Sequence, residues 1–205
     1  MCPVLAKVMW TKLMLGVSLM MLLVTCSPAI APADPAPLAK AVQEIENQDA
    51  MRSSLAAYLA DESEPPTAET MKQVSKHDGM TAQQLTQHNG WQVKQLAKKY
   101  RNPTHQPDNL QAKMALTKFE QTPELMGFWD NETLDGQTGT RYYRRINVEA
   151  SCLACHGRKA NRPQFVKDNY PQDLAYNFNV GDLRGMYAVF IPDAVQQAVQ
   201  DTLNE

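Results

Sequence analysis

Cysteine is scarce in this chain, with four in 205 residues. Two of them, Cys2 and Cys26, fall in or at the edge of an N-terminal segment built like an export leader. Cys152 and Cys155 remain, too few for a disulfide framework, and no second CxxC or Cys/His pair completes a zinc site. Positive charge is not in excess either: 20 Lys and Arg stand against 22 Asp and Glu, a net charge of -2. That balance argues against a nucleic-acid partner. There is no internal repeat, so an array of identical sites is not expected. No Ser/His/Asp set, no paired carboxylates placed for acid–base work and no Gly-rich phosphate loop is recognisable.

The one long apolar run, Leu13 to Val24, follows Lys7 and Lys12 with no acidic residue before it. It has the length of a secretory core region and is short for a membrane span. Export to the periplasm or cell envelope is the expectation. Three N-termini fit. Leu23-Val24-Thr25-Cys26 resembles a lipoprotein cleavage box with Cys26 as the lipid-anchored residue, although Thr25 departs from the usual Gly, Ala or Ser. Ala31-Pro32-Ala33 before Asp34 has the small residues of an ordinary signal-peptidase site, and an uncleaved anchor is the third. Membrane contact is expected only through this leader or a lipid. Lys7 and Lys12 are its only charges, so losing them takes the net charge from -2 to -4. The expected layout is a leader over 1–25, a Pro/Ala-rich linker over 26–37 and one domain over 38–205.

That domain contains Cys152-Leu153-Ala154-Cys155-His156, followed by Gly157. Two thiols three positions apart can each form a thioether to a haem vinyl group, and the adjacent imidazole then lies under the iron as its proximal ligand. A thioredoxin-like thiol pair would need a surrounding βαβ pattern, which is missing, and half a zinc site would need ligands the chain does not supply. The motif occurs once, which predicts one haem c.

The elements around it can be sketched. Leu38, Val42, Ile45 and later Leu55, Tyr58 and Leu59 recur at helical spacing until Pro65-Pro66. Thr67 is placed to cap a second helix running through Met71, Val74 and Leu85 to Asn89-Gly90, with Gly79 weakening its middle. The alternation of Trp91, Val93 and Gln95 predicts a strand ending at Arg101-Asn102-Pro103. A helix follows over about Asp108 to Gln121, with Leu110, Met114 and Phe119 inward. Trp91, Phe128 and Trp129 are expected in the core. The turn-rich Asp135 to Gly139 leads into a strand over Arg141 to Val148, and Gly181 to Gly185 into another over Met186 to Ile191, stopped by Pro192. Asp193 to Leu203 reads as helix. The class is α+β, with helices first and then a small antiparallel sheet beside the haem.

Gly90-Trp91, Arg101-Asn102-Pro103 with Pro107-Asp108, Arg141-Tyr142-Tyr143 through to Gly157, and Gly181-Asp182-Leu183-Arg184-Gly185 occur together in this order. In this the chain resembles a family of bacterial PAS-like single-haem c-type domains, long catalogued as a domain of unknown function. Its members include a stand-alone cyanobacterial haem protein and the sensory N-terminal regions of histidine kinases and diguanylate cyclases. The resemblance covers about residues 40 to 192. It implies a PAS-like sheet with long N-terminal helices, covalent haem, and redox or gas sensing. It also implies a cysteine as sixth iron ligand on the second helix, at a position that falls near Val74, where this chain has none.

Helical geometry names substitutes. His77 lies one turn beyond Val74 and is the first choice; His88, His105, Met71 and Met80 follow, as does an iron left open or holding water. The plain alternative for His77, between Lys76 and Asp78, is a solvated helix residue. Arg101, Arg141, Arg144 and Arg184 are candidates to pair with haem propionates, and Tyr142, Tyr143 and Tyr176 to line the haem, with ordinary ion pairing and sheet packing as the competing roles. Two functional classes survive for a non-catalytic protein, namely one-electron transfer with a redox partner and redox or diatomic-gas sensing through a separate signalling protein. The alternative is a peroxidase-like enzyme with an open iron position, for which the sequence shows no distal His and Arg pair.

Overall fold

The computed structural model describes residues 35–60 and 66–203. The leader, its cleavage sites and Cys26 lie outside the described residues. Helices α1 (Pro35–Ala60) and α2 (Ala68–Asn89) come first. Strand β1 (Gln92–Leu96), helix α3 (Leu110–Gln121), strands β2 (Gly127–Leu134) and β3 (Gln137–Asn147), short helices α4 (Leu153–His156) and α5 (Gln164–Asn169), strand β4 (Leu183–Pro192) and helix α6 (Asp193–Leu203) follow. The sheet order is β1-β4-β3-β2, and every neighbouring pair is antiparallel. The α+β class with a small antiparallel sheet stands.

Local chemistry explains the element ends. Thr67 accepts a hydrogen bond from the Thr70 N–H while the Thr70 hydroxyl takes the Thr67 N–H, a reciprocal cap for α2. Gly90 closes the same helix at φ 69, donating its N–H to the Thr86 carbonyl. Gly79 does not interrupt it. Helix α1 starts at Pro35, inside the expected linker, because proline costs nothing in the first turn, where its missing N–H has no intrahelical partner.

Three expectations need correction. Strand β1 ends at Leu96 and not at Arg101, since the Ala97 N–H is taken by the His105 carbonyl at 2.9 Å and the chain turns away. Helix α3 buries Ala112, Ala115, Leu116 and Phe119, which leaves Leu110 and Met114 exposed; Tyr58 on α1 is exposed as well. Strand β2 was not foreseen, because its polar centre, Asp130-Asn131-Glu132, hides the alternation. Its register is fixed by the two-residue turn Asp135-Gly136, with φ of 51° and 79°.

Both sheet faces are covered. Tyr142, Ile146, Tyr187, Val189, Ile191 and Trp91 pack with Ala41 and Ile45 of α1 and Leu85 of α2. On the other face Tyr143, Met186, Ala188 and Leu96 pack with α3. The polar residues of β3 are tied to both covers. Arg141 is held by Asp108 at 2.9 Å and Glu132 at 2.9 Å, and the Tyr143 hydroxyl donates to Glu132 at 2.8 Å. Arg144 makes a two-pronged pair with Glu46 of α1, both bonds 2.8 Å, and reaches Asp49 at 3.1 Å. Trp129 stacks on Tyr142 with centroids 4.5 Å apart.

These pairs set the acid response. Arg144 hydrogen-bonding holds the Glu46 carboxyl below its ordinary range; at Asp108 burial pushes upward, and Arg141 and Lys94 outweigh it. Stability from both is fully present above the unfolded carboxylate range of about pH 4 and is lost as pH falls through the lower folded-state values. The urea midpoint should therefore fall between pH 5 and pH 3, and Asp108→Asn should flatten that fall, as measured by equilibrium unfolding at each pH.

Candidate functional site

Strand β3 delivers the chain to the CxxCH segment through Val148, whose N–H donates to Asp182 and whose carbonyl accepts from Gly181, at 2.9 and 2.8 Å. Glu149 receives a short hydrogen bond from Ser53 of α1, and its own N–H points at the Cys152 sulfur, 3.4 Å away. Helix α4 is one turn long. That single turn is enough to put positions i, i+3 and i+4, namely Cys152, Cys155 and His156, on one side. Gly157 closes it with no room for a side chain: a Cβ would lie 2.6 Å from the Leu153 carbonyl oxygen.

All three motif residues open into one cavity of about 550 Å³. This lies within the usual range of roughly 300–1,000 Å³ for cofactor sites. Its walls include Gln48 and Arg52 of α1, Met71 and Val74 of α2, Val93 of β1, Ile146 of β3 and Tyr187 of β4, and Arg101, His105 and Arg184 complete the lining. Both cysteines are free thiols. Burial pushes the Cys155 thiol up, although Arg101 opposes it.

His156 is oriented by its neighbours. Its Nδ1 lies 2.8 Å from the Ala175 carbonyl, which can only accept, so Nδ1 carries the proton. Arg101 Nη2 is also 3.4 Å from Nδ1, but its firmer bond is to the Cys155 carbonyl at 2.9 Å. The lone pair on Nε2 is thus left to face the cavity. Burial first, then the charges of Arg184 and Arg101, hold the imidazole well below its usual range and hence neutral.

The support for that orientation is Asp173, whose side chain is fully buried. It accepts the Ala175 N–H at 2.8 Å, pairs with Arg162 at 2.8 Å and lies 3.5 Å from Arg101 Nε. Arg184 has no such partner: its guanidinium donates to the Lys99 carbonyl at 3.1 Å, and among the described residues no carboxylate lies within salt-bridge distance. Burial, with Arg101 beside it, pulls its pKa down to about 10. A buried cation without a counter-charge suits an anionic ligand group.

The fold thus gathers Cys152, Cys155, His156, Arg101, Arg184, His105 and Met71 at one cavity. It does not bring Arg141, Arg144 or Tyr142 there: the two guanidiniums are occupied by Asp108 and Glu132 and by Glu46 and Asp49, and Tyr142 is packed on Trp129. Tyr143 is in the opposite core, and Tyr176 lies under Lys159 and Arg162. His88 and Met80 are exposed. The side chain of His77 lies outside the described residues. Its place on α2 differs by only about 20° in helical phase from Thr70, which lines the cavity. Arg52 and Gln48 were missed. Their signal was the α1 stripe Ala41, Ile45, Gln48, Arg52, buried throughout, which turns polar where it meets the cavity.

Among the described residues no three His, Cys, Asp or Glu side chains cluster to hold a bare metal ion. Two thiols, a neutral imidazole with a free nitrogen, an apolar wall and an uncompensated guanidinium instead fit a metal carried in an anionic macrocycle. The model of a family described as Tll0287-like matches residues 31–192. Among solved structures, that of the cyanobacterial haem protein Tll0287 matches with a TM-score of 0.70 and 48% identity, over 78% of this chain and 98% of that one. No curated protein sequence matches significantly.

Asp173→Ala should remove both the charge shared by Arg101 and Arg162 and the Ala175 anchor, costing about 3–5 kcal/mol in denaturant unfolding. Asp173→Asn, which keeps the bond to Ala175, should cost less.

Proposed function

We propose, on the premise that this chain belongs to the Tll0287-like family, that it is an exported haem protein carrying one haem c and acting in one-electron transfer or in redox and gas sensing. The observation that carries the reading is the convergence of both thiols, the Nε2 lone pair of His156 and the unpaired charge of Arg184 on one cavity. The family relative named above is itself a haem protein.

The residues divide the work. Cys152 and Cys155 would hold the haem through thioethers, formed by adding each S–H across a vinyl group with no oxidant consumed. His156 would serve as proximal ligand, held in one tautomer by the Ala175 carbonyl. Arg184, the guanidinium left to a backbone carbonyl, would pair with a propionate, with Arg101 beside it on the cavity lining. Bound there, haem supplies a one-electron iron couple whose potential is set by its axial ligands and burial. Helix α2 presents Met71 and Val74 to the same cavity, and His77, one turn beyond Val74 in the sequence, is the proposed sixth ligand. Because α1 and α2 form the wall, a change of that ligand would be felt by both helices, which supports the sensing form of this reading. A peroxidase-like reading draws on one observation, that His105 and Arg184 share the cavity.

Holoprotein matured in a haem-attaching host and examined by absorption and EPR, oxidised and reduced, with and without carbon monoxide, decides between them. A low-spin, six-coordinate iron that refuses carbon monoxide is expected, with conversion to a high-spin, carbon monoxide-binding form in His77→Ala. Unchanged spectra in His77→Ala would remove that ligand, and rapid carbon monoxide binding by the unmodified protein would favour the sensor or the open catalytic site. Cys152→Ser with Cys155→Ser should abolish acid-resistant haem; retention would refute thioether attachment.

A further inference from the structure

The segment after the CxxCH motif differs in charge from the rest of the molecule. From Gly157 to Tyr170 it carries Arg158, Lys159, Arg162 and Lys167 against Asp168 alone, in a chain whose net charge is -2. The fold gathers these cations. The Lys159 Nζ and the Arg162 guanidinium both lie 4.9 Å from the centre of the Tyr176 ring, and Lys167 donates to the Ala160 carbonyl at 3.1 Å. Lys99 joins them from the far side of the chain, donating to the Asn177 carbonyl at 3.3 Å, while the Asn177 side chain accepts the Lys159 N–H at 3.0 Å. Asn177 adopts φ 56 to do this, a conformation asparagine tolerates better than most residues. Arg162 is neutralised by Asp173. Among the described residues no carboxylate lies within salt-bridge distance of Lys99, Arg158, Lys159 or Lys167.

This surface is one ring away from the proximal histidine. Lys99 Nζ sits 3.8 Å above the centre of Phe178, and Phe178 meets the His156 imidazole edge-on with centroids 6.2 Å apart. The backbone clamps the two together, Phe178 N–H to the His156 carbonyl and Asn177 N–H to the Gly157 carbonyl, at 3.2 and 2.6 Å. An uncompensated cationic patch over a short, rigid route to the metal ligand is placed to steer a negatively charged redox partner.

We propose that the surface formed by Lys99, Arg158, Lys159 and Lys167 is the docking face for an acidic one-electron carrier protein, with Phe178 between it and His156. The proposal rests on the haem reading above. The exchange is a single electron: the carrier is reduced as the haem iron is oxidised, or the reverse, with no bond formed or broken.

Reduced holoprotein, its haem content fixed by pyridine haemochrome, is mixed by stopped flow with ferricyanide, an anionic oxidant, and separately with tris(phenanthroline)cobalt(III), a cationic one. Salt is varied from about 0.01 M to about 0.15 M, over which the Debye length shrinks from about 30 Å to about 8 Å. Ferricyanide should slow with salt and the cobalt reagent should speed up. Arg158→Glu with Lys159→Glu should slow ferricyanide roughly tenfold at low salt and accelerate the cobalt reagent, and Lys167→Glu alone should do the same to a smaller degree. Parallel salt slopes for the two reagents, or unchanged rates in both variants with an intact haem spectrum, would overturn the docking face and leave the haem reading standing. Protein that incorporates no haem would overturn both.

Discussion

The buried carboxylate of Asp173 is the group on which the arrangement of the cavity depends. One oxygen faces Arg101 and takes the Ala175 N–H, and the other takes Arg162. Ala175 then offers its carbonyl to His156, so a single charge fixes three chain segments and the tautomer of the imidazole. Burying a carboxylate is costly unless its lone pairs are filled, and here the Arg162 guanidinium and the Ala175 amide hydrogen-bond to it while the Arg101 charge lies 3.5 Å away. The result is a rigid proximal side, with Phe178 packed edge-on against the ring.

The arginines around the cavity are not equivalent. Arg52 is neutralised by Asp49 at 2.8 Å, and Arg101 shares Asp173. Arg184 alone is left to a backbone carbonyl. Sequence patterns could not rank the arginines, because only the approach of Asp108, Glu132, Glu46 and Asp49 from other segments commits Arg141 and Arg144 elsewhere.

Local signals were legible and long-range ones were not. The CxxCH spacing, the Thr67 cap, the Gly90 stop and the apolar run of β4 are each written within a few residues, and the fold follows them. Strand β2 was hidden because an edge strand needs only one apolar face and this one carries Glu132 inward, satisfied by Arg141 and Tyr143. The face of α3 was misread for a related reason. Alanines at 112 and 115 do the packing close to the sheet, whereas the larger Leu110 and Met114 point outward. Size is a poor guide where a helix must approach closely.

Helix α2 contrasts with α4. Of the described side chains on α2, Leu85 alone is buried, near the C-terminal end. The preceding turns reach inward through Thr70, Met71, Val74 and Ala82, all of which face the cavity. Their packing partner is therefore whatever fills that space, whereas the partner of α4 is the protein itself. A helix whose apolar contacts are completed by a ligand gains stability by mass action when the ligand binds. This division leaves α4 beside a histidine already ordered through Asp173, and α2 open to whatever occupies the cavity.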